Sequence, residues 1–313
     1  MAEANETVAT RSVVVQRTGA QAAWRDLGRS SRLRLLGLAG SVGVLTLLFV
    51  VPLAQLVGLA LQNELHSYIP LVPFISAYLL YNQPRTVGSY RTSIGATATL
   101  AAAGVAALIV SIQFHDRLSV NDDLSLSMLA YVSFIGASGF LFLGSDRMRA
   151  AAFPVAFLVF MVPLPAVAVN WLELRLVAAS ADASALLFAW IGTPLFRQGA
   201  VFTLPGIVLE VAQECSGIRS TVVLVMTSVL ASNLFLQSTW RRVALIAVVI
   251  PLAIVRNAFR ILVIGLLCVY VGPHMSDSFI HHRGGPIFFA LSLVPLSFFL
   301  LWLRRHDRVA ARS

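Results

Sequence analysis

The chain of 313 residues is 58% hydrophobic and 12% charged, with a mean hydropathy of +0.82. Soluble domains are near 25% charged, and this chain lacks the polar groups to cover its apolar surface, so part of its solvent is lipid. That excludes a cytosolic enzyme, a secreted disulfide scaffold and a disordered polar tail, and predicts an all-α, polytopic membrane helical bundle. The formal net charge is +9, and all 23 basic residues are arginine. In a soluble protein such a balance suits nucleic acid. Here the arginines are expected to set orientation in the bilayer, with no nucleic-acid partner.

Residues 1–34 read as a basic cytoplasmic tail carrying Arg11, Arg17, Arg25, Arg29, Arg32 and Arg34. The first apolar run starts too far from Met1 for a cleaved signal peptide. A spanning helix needs about 20 residues, and apolar runs follow at 35–60, 68–81, 94–113, 124–144, 150–169, 216–236, 243–271 and 286–303. The second is short and borrows flanking residues. A ninth stretch, 171–191, mixes Glu173, Arg175 and Asp182 with apolar residues and is expected to lie at the interface. With that assignment sixteen of the 23 arginines fall on the cytoplasmic side, as the positive-inside rule requires. Inverting the last third would export Arg241, Arg242, Arg304, Arg305, Arg308 and Arg312. The expected organisation is therefore about eight spans with both termini cytoplasmic. A membrane domain at 35–303 lies between the tail at 1–34 and a basic tail at 304–313.

Ionisable groups at membrane depth or at its edge mark function. Three such features collect at the expected outer face. Glu210-Val-Ala-Gln-Glu214-Cys215-Ser216-Gly217 leads into the sixth span, which puts Cys215 at a helix N-terminus. There the helix dipole favours a thiolate, although a cysteine beside small residues also suits plain helix packing. In the seventh span Arg256, Asn257 and Arg260 interrupt an apolar helix, and the two arginines, four apart, share one face. A structural pairing with Glu210 or Glu214 is the competing reading. The loop before the last span holds His281 and His282, suited to proton transfer near neutral pH or simply solvated. Together a nucleophile, a cation and a proton carrier describe acyl-transfer chemistry. The two cysteines, Cys215 and Cys268, give neither a disulfide framework nor a zinc spacing. No cofactor or metal is expected, and Cys268 reads as a core residue.

At these positions the sequence resembles the exosortase/archaeosortase family of membrane cysteine transpeptidases. Phe153-Pro154 through Pro163-Leu164-Pro165 resembles its Phe-Pro…Pro-Leu-Pro helix. Glu214-Cys215-Ser216-Gly217 lies in a stretch similar to its cysteine block. Asn257-Ala-Phe-Arg260 resembles its Asn-x-x-Arg helix, and His281 with Gly285 its His-x-x-x-Gly motif. The Tyr68–Tyr81 run is similar to a weaker N-terminal signature. The resemblance implies Cys215 as nucleophile, with Arg260 and His281 completing a triad. Arg256, Asn257, Glu214, Ser216 and Gly217 would support it. His282 adjoins His281, and only the spacing to Gly285 prefers the latter.

The resemblance further implies a multi-pass protein of the bacterial inner membrane with its site near the outer face. Its substrates would be exported proteins ending in a short Pro-containing motif, a transmembrane helix and a basic tail. The product would pass to an acceptor such as a lipid amine, a surface component or water, often in the context of exopolysaccharide. Two rivals stand beside this reading. One is an anion transporter using Arg256 and Arg260. The other is a non-catalytic membrane component of exopolysaccharide assembly.

Overall fold

The computed structural model describes residues 29–83, 92–205, 207–210, 217–272, 274 and 285–310. It is an all-α polytopic bundle with one small sheet. Twelve α-helices follow in chain order among the described residues. They are α1 (Arg29–Leu48), α2 (Val50–Gln62), α3 (Leu71–Tyr81), α4 (Ile94–Phe114), α5 (Val120–Phe142) and α6 (Gly144–Ala150). After these come α7 (Ala152–Phe157), α8 (Ala166–Ile191), α9 (Ile218–Phe235), α10 (Thr239–Ala247), α11 (Val249–Tyr270) and α12 (Gly285–Ala310). Between α8 and α9 lie β1 (Phe196–Gln198), β2 (Val201–Leu204) and β3 (Ile207–Glu210).

Proline explains where long apolar runs break. Pro52 has no N–H to offer the Leu48 carbonyl, and the expected 35–60 span divides there into α1 and α2. Pro251 divides α10 from α11 in the same way, although Thr239–Tyr270 remains one candidate crossing.

Two compact units divide the chain. The first holds α1, α4, α5, α6 and α7. In it Phe49 packs against Tyr131 and Phe134 at ring separations of 5.4 and 6.2 Å. Asp123 accepts a hydrogen bond from Ser111 and lies 3.4 Å from Nδ1 of His115.

The second unit holds the 3-10 turn Glu64–His66 and everything from Pro163 onward. Asn121 and Asp122 belong to it because they secure the start of α8. Asn121 donates to the Leu164 carbonyl at 2.7 Å, and the Asp122 carboxylate accepts from the Ala166 N–H at 2.7 Å. A helix N-terminus leaves such N–H groups unpaired, so Asp122 satisfies one of them.

Seven helices among the described residues are long and apolar enough to cross a membrane, and they differ from the expected eight in three places; the first is the 68–81 run, whose helix α3 has only 11 residues. The 150–169 run is not one helix: α7 passes into a 3-10 turn ending at Met161, and Pro163 and Pro165 stop it. The 171–191 stretch belongs to the 26-residue α8, which is long and apolar enough to cross a membrane. Its polar residues are accommodated locally. Asp182 pairs with Arg197 at 2.7 Å, and the Arg175 guanidinium sits over the Trp171 ring.

The core of this unit is the contact between α8 and α11. Ser184 Oγ is 3.4 Å from the Ala258 carbonyl oxygen, and Phe188 fills the space beside Gly265. A Cβ at Gly265 would lie 2.6 Å from the Phe188 ring, so only glycine admits this approach. Contact positions advance together along both helices, which therefore run parallel. Cys268 is buried here with Phe188, Phe202 and Leu204. The three-stranded antiparallel sheet covers this core, with Gly199 at φ +62° in the two-residue turn joining β1 to β2.

A second cluster joins Leu224, Leu236, Leu245, Val249, Leu296 and Leu303. Beside it Asp307 accepts from the Gln237 N–H at 2.6 Å and from Arg241.

His66 is 3% exposed, and neither ring nitrogen has a hydrogen-bond partner among the described residues. Burial lowers its pKa, which favours the neutral ring in the folded protein. The unfolded chain then binds the proton first, so stability should fall as pH drops below about 6.5. Thermal unfolding in detergent should show a steeper loss from pH 7 to pH 5 for the parent than for His66→Phe. Equal slopes would remove His66 as the titrating group.

Candidate functional site

The site is built where the first turn of α9 meets the middle of α11. Gly217 is the N-cap of α9, with φ +68° and ψ 15°. This left-handed conformation is open to glycine at little cost and suits the sharp entry into the helix. Its carbonyl oxygen accepts hydrogen bonds from Thr221 Oγ1 at 2.8 Å and from Arg256 Nη2 at 3.2 Å. The glycine also makes room. A Cβ there would meet Arg256 Nη2 at 2.8 Å and the Asn257 carboxamide oxygen at 3.5 Å.

Arg256 and Asn257 are 7% and 2% exposed and face this turn from α11. Arg260 follows one helical turn later and is half-buried. Thus Gly217, Arg256 and Asn257, separated by about forty residues in sequence, are brought together. Glu214, Cys215, Ser216, His281 and His282 lie outside the described residues, and so do Asp277 and Arg283.

A feature not read from the sequence flanks the turn. Arg219, in the first turn of α9, bonds Glu64 at 2.5 Å and ties the 61–70 segment to it. Glu64 lies 155 residues away and carries no pattern that would single it out.

Beside this ion pair lies a cavity of about 320 Å³. Tyr68 and Leu71, then Ser220 and Val223, then Pro286 and Phe289 form its walls. The lining is largely apolar, with Arg219 and Ser67 also contributing. The cavity therefore opens beside two segments that the sequence singled out, the one after Cys215 and the one after His281.

The profile of the transmembrane exosortase family matches residues 60–298, well over half of the chain. The chain belongs to the transmembrane exosortase family. No curated protein and no solved structure matches it. The matched region of this exosortase includes Glu64, Arg219, the cavity, the Gly217 turn and the whole of α11. It is an integral, multi-pass membrane protein.

Gly217→Ala tests the turn. The left-handed backbone should cost about 1–2 kcal/mol with a Cβ present, and Arg256 must also move away. The expected result is a lower unfolding temperature in detergent than for an alanine substitution at Gly40, where a Cβ meets nothing within 4 Å. Equal unfolding temperatures for the two variants would show that the turn tolerates a side chain.

Proposed function

We propose that this exosortase is a cysteine-type transpeptidase with Cys215 as nucleophile, Arg260 as a stabilising cation and His281 as proton carrier. It acts on exported proteins whose C-terminal sorting signal combines a short Pro-containing motif, a transmembrane helix and a basic tail. The observation that carries the reading is the Gly217 turn, held by Arg256 against α11. Cys215 precedes that glycine by two residues, and two residues of chain span at most about 7 Å. Arg260 lies on the same helix as Arg256, four residues on.

The chemistry balances without a cofactor. The Cys215 thiol gives its proton to the His281 imidazole, and the thiolate attacks the scissile carbonyl carbon. The carbonyl π pair moves to oxygen and is stabilised by cationic donors. Collapse re-forms the carbonyl, breaks the C–N bond and releases the amine of the helical tail, which takes the proton from imidazolium. A thioester remains on Cys215. An acceptor amine or water then attacks it, giving the transferred or hydrolysed product.

Membership in the transmembrane exosortase family supports the substrate class. With the short α3 as an eighth crossing beside the seven, the positive-inside rule supports both termini cytoplasmic and the site near the outer face, and the family supports a bacterial inner-membrane placement. In this reading 35–303 is the catalytic membrane domain between the tails 1–34 and 304–313. The cavity beside α9 suits apolar residues flanking the cleavage point. A helical signal laid against the protein would bring its membrane-edge peptide bond to the same depth.

Cys215→Ala should insert normally and leave a co-expressed sorting-signal fusion uncut on an immunoblot, and Arg260→Lys should fail nearly as badly, because an ammonium lacks the planar fork. Mass spectrometry should find a hydroxylamine-sensitive acyl group on Cys215 of the parent. Parent-level cleavage by Cys215→Ala would remove the enzyme reading. Val223→Trp should fill the cavity and raise the KM for the fusion more than it lowers kcat. An unchanged KM would detach the cavity from substrate binding.

A further inference from the structure

Arg219 places a cation at an apolar cavity. It lines the space of about 320 Å³ whose walls include Tyr68, Leu71, Val223, Pro286 and Phe289. Its side chain is 49% exposed, and a Cβ at Gly285 in the same lining would meet nothing within 4 Å among the described residues. The guanidinium and the cavity therefore have room for a ligand.

Two serine hydroxyls share the lining, but both protons are engaged within the chain. Ser67 Oγ donates to the Glu64 carbonyl at 2.9 Å, and Ser220 Oγ donates to the Gly217 carbonyl at 3.1 Å. Of the described lining side chains, Arg219 alone carries a charge. Its Nη1 is engaged by the Glu64 carboxylate.

That partner is easily displaced. The Glu64 side chain is 84% exposed, and an ion pair so open to water contributes little. The turn that carries Glu64 keeps its shape by other means. Asn63 Oδ1 accepts from the Leu65 N–H at 2.9 Å, and the Glu64 carbonyl accepts from the Ser67 N–H at 3.3 Å. A carboxylate arriving from the cavity would sit against apolar walls, where its bond to a guanidinium is screened less than the Glu64 pair is.

We propose that Arg219 reads an acidic side chain of the substrate, which takes the place of Glu64 while an adjacent apolar residue fills the cavity. This rests on reading the chain as a transpeptidase for sorting-signal proteins with Cys215 as nucleophile. One carboxylate replaces another, so no charge is stranded beside the apolar lining as substrate enters or leaves. A segment without an acid must leave the Glu64 pair in place or break it for nothing, and this rejects it. Cys215 lies four residues before Arg219, and four residues of chain span at most about 14 Å. An extended substrate rises about 3.3 Å per residue, so the acidic position falls within about four residues of the scissile bond. Arg219 is then a specificity-determining residue, outside the reacting set.

Binding is measured by fluorescence anisotropy on the full-length Cys215→Ala protein in detergent, so that no turnover intervenes. The probes are fluorescein-labelled Pro-containing peptides that differ only in one Glu against Gln. The Glu peptide should bind roughly tenfold more tightly, as a charge-assisted contact allows. Adding Arg219→Gln should abolish that preference. Glu64→Gln should tighten the Glu peptide about threefold, because the competing carboxylate is gone. Arg219→Glu should favour a Lys version of the peptide over the Glu one, a reversal that damage to the fold does not produce.

Equal binding of the Glu and Gln peptides by the Cys215→Ala protein would overturn the proposal. So would an Arg219→Gln protein that keeps the preference, or one that loses both peptides together, since the latter assigns Arg219 to holding the turn. If Arg219→Gln keeps the preference but loses co-purified phosphatidylglycerol, the cation serves a lipid phosphate instead. Cleavage of a sorting-signal fusion separates the underlying reading. Parent-level cutting by Cys215→Ala removes the nucleophile assignment, whereas an inert Cys215→Ala that binds both peptides alike removes only the role of Arg219.

Discussion

A guanidinium buried in α11 donates to the carbonyl of Gly217, and the position of the α9 N-terminus follows from that bond. Removing a cation from water is costly, and Arg256 recovers only part of its solvation through this contact. The arrangement persists because α11 is fixed along its length by α8, through Ser184, Phe188 and the gap at Gly265. Packing of two helices thus sets the depth of Arg256 and Asn257, and those two residues set the turn that follows Cys215. The Glu64–Arg219 pair constrains the first turn of α9 from another direction. Both groups are substantially solvent-facing, so this tie contributes geometry more than stability.

Much of the bundle was legible because spanning helices announce themselves by length and apolarity. The runs at 94–113, 124–144 and 216–236 lie almost wholly within α4, α5 and α9. The 171–191 stretch is hard to place from sequence for a physical reason. Glu173, Arg175 and Asp182 weigh against insertion when counted singly, yet Asp182 finds Arg197 and Arg175 finds Trp171. Charge counting cannot see such local partners. The small sheet was missed because strands of three or four residues are too short to display an alternation. Gly199 marks one of its turns.

The site divides along the same line. Arg256, Asn257 and Arg260 were visible as polar residues in an apolar helix, and Gly217 as a small residue at a helix start. The meeting of Gly217, Arg256 and Asn257 at one turn depends on helix rotation, which periodicity over a single uniformly apolar segment does not fix. Glu64 and the cavity wall come from a segment 150 residues away and follow from the fold alone. Membership in the transmembrane exosortase family covers this whole region.

The parallel pairing of α8 and α11 has a bearing on biosynthesis. Antiparallel neighbours can associate as soon as the second leaves the ribosome, but these two are joined through an intervening hairpin and helix. Ser184 and Ala258 are 74 positions apart, so at ordinary translation speeds α8 waits roughly 4–15 s for its mate. During that delay Ser180, Ser184 and the face around Phe188 confront lipid or an insertion chaperone. Quality control of this protein should therefore be most sensitive to nascent chains halted just before α11 emerges.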